Sequence, residues 1–195
     1  MKKKILALAV IAISLSMVAY GSLAYFTAGD TAHNVITSGA VAIEVVEWTM
    51  VGDEPIPYPD EPIKVMPATT VSKIVTVENK DAEAFIRAEI EMVVKNAAGE
   101  VMELDEETLD SLILIEPNSE YWLTKDTDDG WYYYKEAIGT DVTTEPLFSE
   151  VVFAGKDMGN EYQNCTVEID VNAQAVQADN NGDDVLKAAG WPEEE

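Results

Sequence analysis

The run AFIRAEIEMVVK, Ala84–Lys95, constrains the fold more than any other stretch. Phe85, Arg87, Glu89 and Glu91 fall on one face of an extended chain, and Ile86, Ala88, Ile90 and Met92 on the other. Successive side chains of a strand point to opposite faces, so this period of two describes a half-buried β-strand. NKDA before it and NAAGE after it supply turns.

The same logic covers most of the chain beyond residue 40. CTVEIDVNAQAVQA places Val167, Ile169, Val171, Ala173 and Ala175 on one face. TVSKIVTVEN, Thr70–Asn79, has the composition of a strand, with apolar residues on both faces. VAIEVVEW (Val41–Trp48) and LFSEVVFAG read as further strands, and EYWLTKDTDDGWYYYKEAI as a hairpin of two aromatic strands around Asp129-Gly130. DEPIPYPDEPIKVMP, Asp53–Pro67, carries five prolines and is expected as an extended loop, not a central strand. LDEETLDSLILIEP opens as a short acidic helix or loop. The tail DNNGDDVLKAAGWPEEE, from Asp179, reads as a turn, a short helix and a frayed acidic end. About seven to nine short strands with almost no helix predict an all-β chain: a single antiparallel β-sandwich with short helical segments. It would occupy residues 41–195.

The beginning of the chain has a different character. Three lysines precede an apolar run from Ile5 to Tyr20, and small residues come next. That is the pattern of a secretory signal peptide, residues 1–24, with Ser22 and Ala24 at the small positions and a cut between Ala24 and Tyr25. The rival reading is an uncleaved anchor, because Ile5–Phe26 is just long enough to span a bilayer. Cleavage removes three lysines and no acids, taking the net charge from −25 to about −28. Such a surface excludes nucleic acid as a partner and disfavours docking on anionic lipid, so contact with the membrane is expected only before cleavage. Apolar residues at 47% argue for a packed core and against disorder.

Chemistry-bearing motifs are scarce. His33 is the only histidine and Cys165 the only cysteine. Neither a zinc-protease helix nor a nucleophile–histidine pair can be assembled from them, so no catalytic residue is assigned. Cys165 lies in a strand-like run and reads as a small buried hydrophobe. DTDDG, with Asp126 and Asp128, and DNNGDD, with Asp179, Asn181 and Asp183, space oxygen ligands as calcium loops do. Neither completes a calcium loop, and Asp-Gly and Asn-Gly also form turns, so both readings stand. No other cofactor is implied.

GSLAYFT followed by NVITSGAVAIEVVE resembles the start of the TasA/camelysin group, secreted fibre proteins of Gram-positive bacteria. In that group a dedicated signal peptidase, SipW, cuts just before an aromatic- or Ala-Phe-starting segment. A polar stretch, a TAG or TSG motif and the first strand then come in turn. Here these are Tyr25-Phe26-Thr27, Thr37-Ser38-Gly39 and Val41–Val46. VMPATTVSKIVTVENKDAEAFIRAEIE, DDGWYYYKEAI and VEIDVNAQAVQA are similar to later elements of the group. The resemblance implies a jelly-roll-like sandwich exported to the cell surface or biofilm matrix. It also implies head-to-tail self-assembly into fibres, alone or with other matrix proteins, in which the freed N-terminal strand of one subunit completes the sheet of the next. Residues 25–40 would be that segment, with Tyr25, Phe26, Thr27, Val35 and Ile36 in the polymerisation strand. Camelysin has been described as a casein-degrading metalloprotease, so the resemblance carries an enzymatic alternative. One histidine and no zinc motif give it little support. A monomeric surface adhesin using the aromatic hairpin is a third reading.

Overall fold

Strands form where the alternating runs predict them, and their apolar sides meet between two sheets. The computed structural model describes residues 41–59, 68–127, 129–154, 162 and 165–192, together with the backbone pairing of 35–37. Among these residues the strands are β1 (Val35–Thr37), β2 (Ile43–Val51), β3 (Glu54–Pro57), β4 (Thr70–Asn79), β5 (Ala84–Lys95), β6 (Ile113–Ile115), β7 (Trp122–Leu123), β8 (Tyr132–Tyr134), β9 (Val142–Thr143), β10 (Phe148–Phe153) and β11 (Thr166–Gln177). Helix α1 (Glu106–Leu112) begins after the N-cap Asp105, whose carboxylate accepts from the Thr108 amide at 2.8 Å.

The first sheet has the order β1-β11-β5-β8-β7 and the second β3-β2-β4-β10-β6, with β9 beside β4. The chain changes sheet between β1 and β2, β4 and β5, β5 and β6, β6 and β7, β8 and β9, and β10 and β11. That repeated crossing gives the sandwich its jelly-roll-like wrapping. The pairings are antiparallel except at one place: β1 runs parallel to β11.

β5 and β11 form the backbone of the first sheet, paired from Thr166 opposite Lys95 to Gln177 opposite Ala84. Their inner faces carry Ile86, Ala88, Val94, Val171, Ala173 and Ala175. These pack on Val41, Ile43, Val45, Val75, Val77 and Phe148 of the opposite side. Each large side chain so buried contributes about 1.5–3 kcal/mol of transfer free energy, which makes this shared layer the main source of stability. Asn79 closes the β4–β5 crossing. Fully buried, it donates to the Ala82 and Ile138 carbonyls and accepts from the Asp81 amide.

The structure corrects the sequence reading in four places. The proline-rich segment is not simply a loop, because Glu54–Pro57 forms an exposed edge strand on β2. The aromatic hairpin exists, with Trp122 opposite Tyr134, but an eight-residue span separates β7 from β8 in place of a tight turn. Phe85 and Arg87 do not face solvent. They are buried in a second cluster with Trp131, Tyr133, Val176 and Val185, on the outer face of the first sheet. Finally, the tail forms the expected turn and a single-turn helix, Val185–Lys187, but it does not run free after them, while the acidic end 193–195 lies outside the described residues. The tail folds back over that outer face, where Trp191 joins the second cluster. Two rows of aromatic residues result: Trp122 and Tyr134 belong to the central core, and Trp131 and Tyr133 to the outer cluster.

Candidate functional site

Two open sheets have four edges, and each edge exposes backbone N–H and C=O groups that can template another strand. Three of these edges end in short strands, past which parts of β2 and β5 also run without a paired strand among the described residues. β7 has two residues, β6 three and β3 four. The fourth belongs to β11, a strand of 12 residues. On one side β5 pairs with its whole length. On the other, β1 covers only Ala173–Ala175, with Val35 opposite Ala173, Ile36 opposite Gln174 and Thr37 opposite Ala175. No strand among the described residues pairs with Thr166–Asn172 on that side.

The side chains of this open stretch are anchored by packing and by contacts with β5. Val167, Ile169 and Val171 point into the core. On the other face Glu168 pairs with Lys95 at 2.5 Å, and the Asn172 amide donates to Glu89 Oε1 at 3.2 Å. The side chains are therefore pinned to β5 while alternate backbone groups remain directed outward. A strand laid here would gain main-chain hydrogen bonds and continue the inner apolar row, which are the two requirements of β-augmentation.

The residues singled out in the sequence fall unevenly around this edge. Val35 and Ile36 form β1, directly on it. Ala24, Tyr25, Phe26, Thr27 and His33 lie outside the described residues, as does Asp128. Asp126 sits exposed in the loop before β8. The carboxylate that organises that loop is Asp129: it accepts from Tyr133 Oη at 2.7 Å, from Lys125 Nζ at 3.1 Å and from the Trp131 amide at 3.3 Å. In the second acidic segment, Asn181 stitches the returning chain together. Its amide donates to the Gln177 and Ala189 carbonyls and its oxygen accepts from the Ala189 amide. Asp179 and Asp183 line a shallow cavity with Glu83 and Glu136. No group of three or more metal-ligating side chains occurs among the described residues. Cys165 is half-buried just before β11, its Sγ 3.7 Å from Met102 Sδ.

The Asp129 network makes an acid-sensitive element. Partial burial pushes its carboxyl up, but the hydrogen bonds from Tyr133, Lys125 and Trp131 outweigh this and hold it below its ordinary 3.8. A carboxyl depressed on folding adds stability above its unfolded value, and that stability disappears as pH falls through the lower folded value. Stability measured by urea unfolding should therefore drop below pH 3.8 more steeply in the parent than in Asp129→Asn, which lacks the titrating group. Parallel curves would show that Asp129 contributes nothing to acid sensitivity.

Sequence reading missed the Arg87 cluster and the position of β11 at an edge. The first had a visible signal, an arginine next to a phenylalanine on the supposedly solvated face. The second had none, since strand order is not encoded in periodicity. No family model, curated protein or solved structure matches the chain.

Proposed function

We infer that the chain is a secreted structural subunit whose copies join head to tail by strand addition after removal of the signal peptide. The segment Tyr25–Ile36 of one copy is the donor, and the open edge of β11, Thr166–Asn172, in the next is the acceptor. One observation carries this reading: a long strand paired along its whole length with β5 is covered at one end by β1, whose Val35 and Ile36 close the candidate donor segment. Continued in the same parallel register, residues 28–34 match 166–172, so the segment has the length to cover the open stretch.

A segment of this kind pairs only once. Laid on its own β11 it closes a monomer; laid on a neighbour's it makes a link with the same backbone hydrogen bonds. Exchange between copies is therefore low in cost. The link joins two different surfaces, so it need not close and can grow a filament. Tethering by the uncut apolar run would keep the donor at the membrane until export is complete. Cell-surface or matrix location follows from that sequence of events. The acidic surface opposes assembly, because subunits of about −28 repel until salt screens them.

Electron microscopy of the chain beginning at Tyr25, beside one beginning at Gly39, tests this function over a salt series. Filaments are expected from the longer chain alone, and more of them at higher salt. Filaments of equal abundance from both would remove the donor role. Dispersed particles from both at every salt concentration would remove self-assembly itself.

A further inference from the structure

β3 turns one side to β2 and the other to solvent, and its sequence decides what the outer side can do. The Tyr58 amide donates to the Glu47 carbonyl at 3.0 Å, and the register sets Ile56 opposite Thr49 and Glu54 opposite Val51. In an antiparallel ladder each residue turns its N–H and C=O to the same side, and successive residues alternate sides. Glu54, Ile56 and Tyr58 therefore face β2, while residues 55, 57 and 59 face solvent. All three of these are proline. Every N–H that this stretch would offer to an arriving strand is replaced by a ring carbon, and only carbonyls remain.

The arrangement is selective. A proline at 54, 56 or 58 would remove a bond to β2 and open the hairpin. Prolines at 55, 57 and 59 leave that ladder intact. The hairpin also has reason to be sealed, because Met50, Val51 and Ile56 are all exposed large apolar residues. An apolar strand with a competent free edge is a template for association.

We propose that Pro55, Pro57 and Pro59 seal this end of the second sheet against strand addition, including pairing with β3 of a second copy. Two copies meeting at β3 would set carbonyl against carbonyl with no donor between them. Strand addition is thereby directed away from β3 and toward the remaining edges, the open stretch of β11 among them. The consequence for assembly, one-dimensional growth without sideways pairing, rests on the strand-donation reading; the seal itself does not.

The test compares the chain beginning at Tyr25 with its Pro55→Thr/Pro57→Thr/Pro59→Thr variant. Threonine restores the amides without adding a large apolar side chain. Ile56→Thr is the control, since it changes a residue on β3 and adds no outward amide. Self-association is read by sedimentation in about 0.5 M salt, where charge repulsion is screened within about 4 Å. Any filaments are inspected for side-by-side pairing. The triple variant should associate at least about tenfold more tightly than the parent, equivalent to about 1.4 kcal/mol, and the control should not. The comparison is variant against parent, so it reads the seal whether or not the parent forms filaments. Association equal to the parent, with the Thr49 and Val51 amides still protected from exchange, overturns the seal. If the triple variant loses that protection, Pro57→Thr alone decides by the same two readings.

Discussion

Glu47→Ala should destabilise the fold by about 3–5 kcal/mol, a large fraction of what a domain of this size has. Glu47 and Lys73 pair at 2.6 Å with side-chain exposures of only 13% and 7%. Lys73 occupies the inner row of β4 between Val71 and Val75, and Glu47 the inner row of β2 after Ile43 and Val45. The Tyr58 ring covers the ammonium at 4.3 Å, and burial followed by the Glu47 charge pushes the Tyr58 phenol above its usual value. Without Glu47 the buried amine has lost its carboxylate partner and keeps the Tyr58 ring beside it. The cost comes from that orphaned group, because burying an ion pair has little net worth when both members are present. Replacing both, as Glu47→Leu with Lys73→Met, should then stay within about 1 kcal/mol of the parent. Urea unfolding of the two single variants and the double variant closes the cycle. Single variants each costing under about 1 kcal/mol would show that the pair is solvated.

Arg87→Ala should cost about 3 kcal/mol and release the returning C-terminal segment from the first sheet. The guanidinium lies 4.0 Å from the Trp131 ring centre and 4.9 Å from that of Trp191. Its Nε and Nη2 both donate to Gln174 Oε1, at 3.0 and 2.7 Å, and Nη2 reaches the Pro192 carbonyl at 3.4 Å. Gln174 is itself buried, so truncating Arg87 strands its oxygen. Lysine should not rescue the variant, because a tetrahedral ammonium cannot stack between two indoles and reach the amide together. Trypsin cleavage after the exposed Lys187 reports the release directly. Cleavage should accelerate in Arg87→Ala and Arg87→Lys well beyond what their loss of global stability explains. Unchanged cleavage in both would mean that the segment is held without Arg87.

These two effects mark where sequence reading reaches its limit. The inner faces of β5 and β11 are legible because strand periodicity is local: Ile86, Ala88 and Ile90 declare themselves within five residues, as do Val167, Ile169 and Val171. Phe85 and Arg87 are misread as a solvated face because the chain that covers them arrives about a hundred residues later, at Trp191 and Pro192. Lys73 stands at a core-parity position in TVSKIVTVEN, but its partner Glu47 comes from another strand and is fixed only by register. Proline content correctly excludes a central strand at 53–59. The spacing of 55, 57 and 59 carries the finer message, an edge strand with its outward side closed, and only the pairing with β2 reveals which side that is. Of the candidate assembly site, Val35 and Ile36 are legible in the sequence. That β11 lies at an edge, and that β1 meets it in parallel, depends on strand order.

If Thr166–Asn172 accepts a strand from another copy, amide exchange at those residues must differ between assembled and dispersed protein. About half of their amides face β5 and should be protected in both states, while those facing outward should exchange quickly in dispersed protein lacking residues 25–36. In assembled protein the outward amides should slow by about a hundredfold or more. Filaments in which Thr166–Asn172 exchange as fast as in the truncated protein would contradict strand acceptance there, and would place the joint between subunits elsewhere on the molecule.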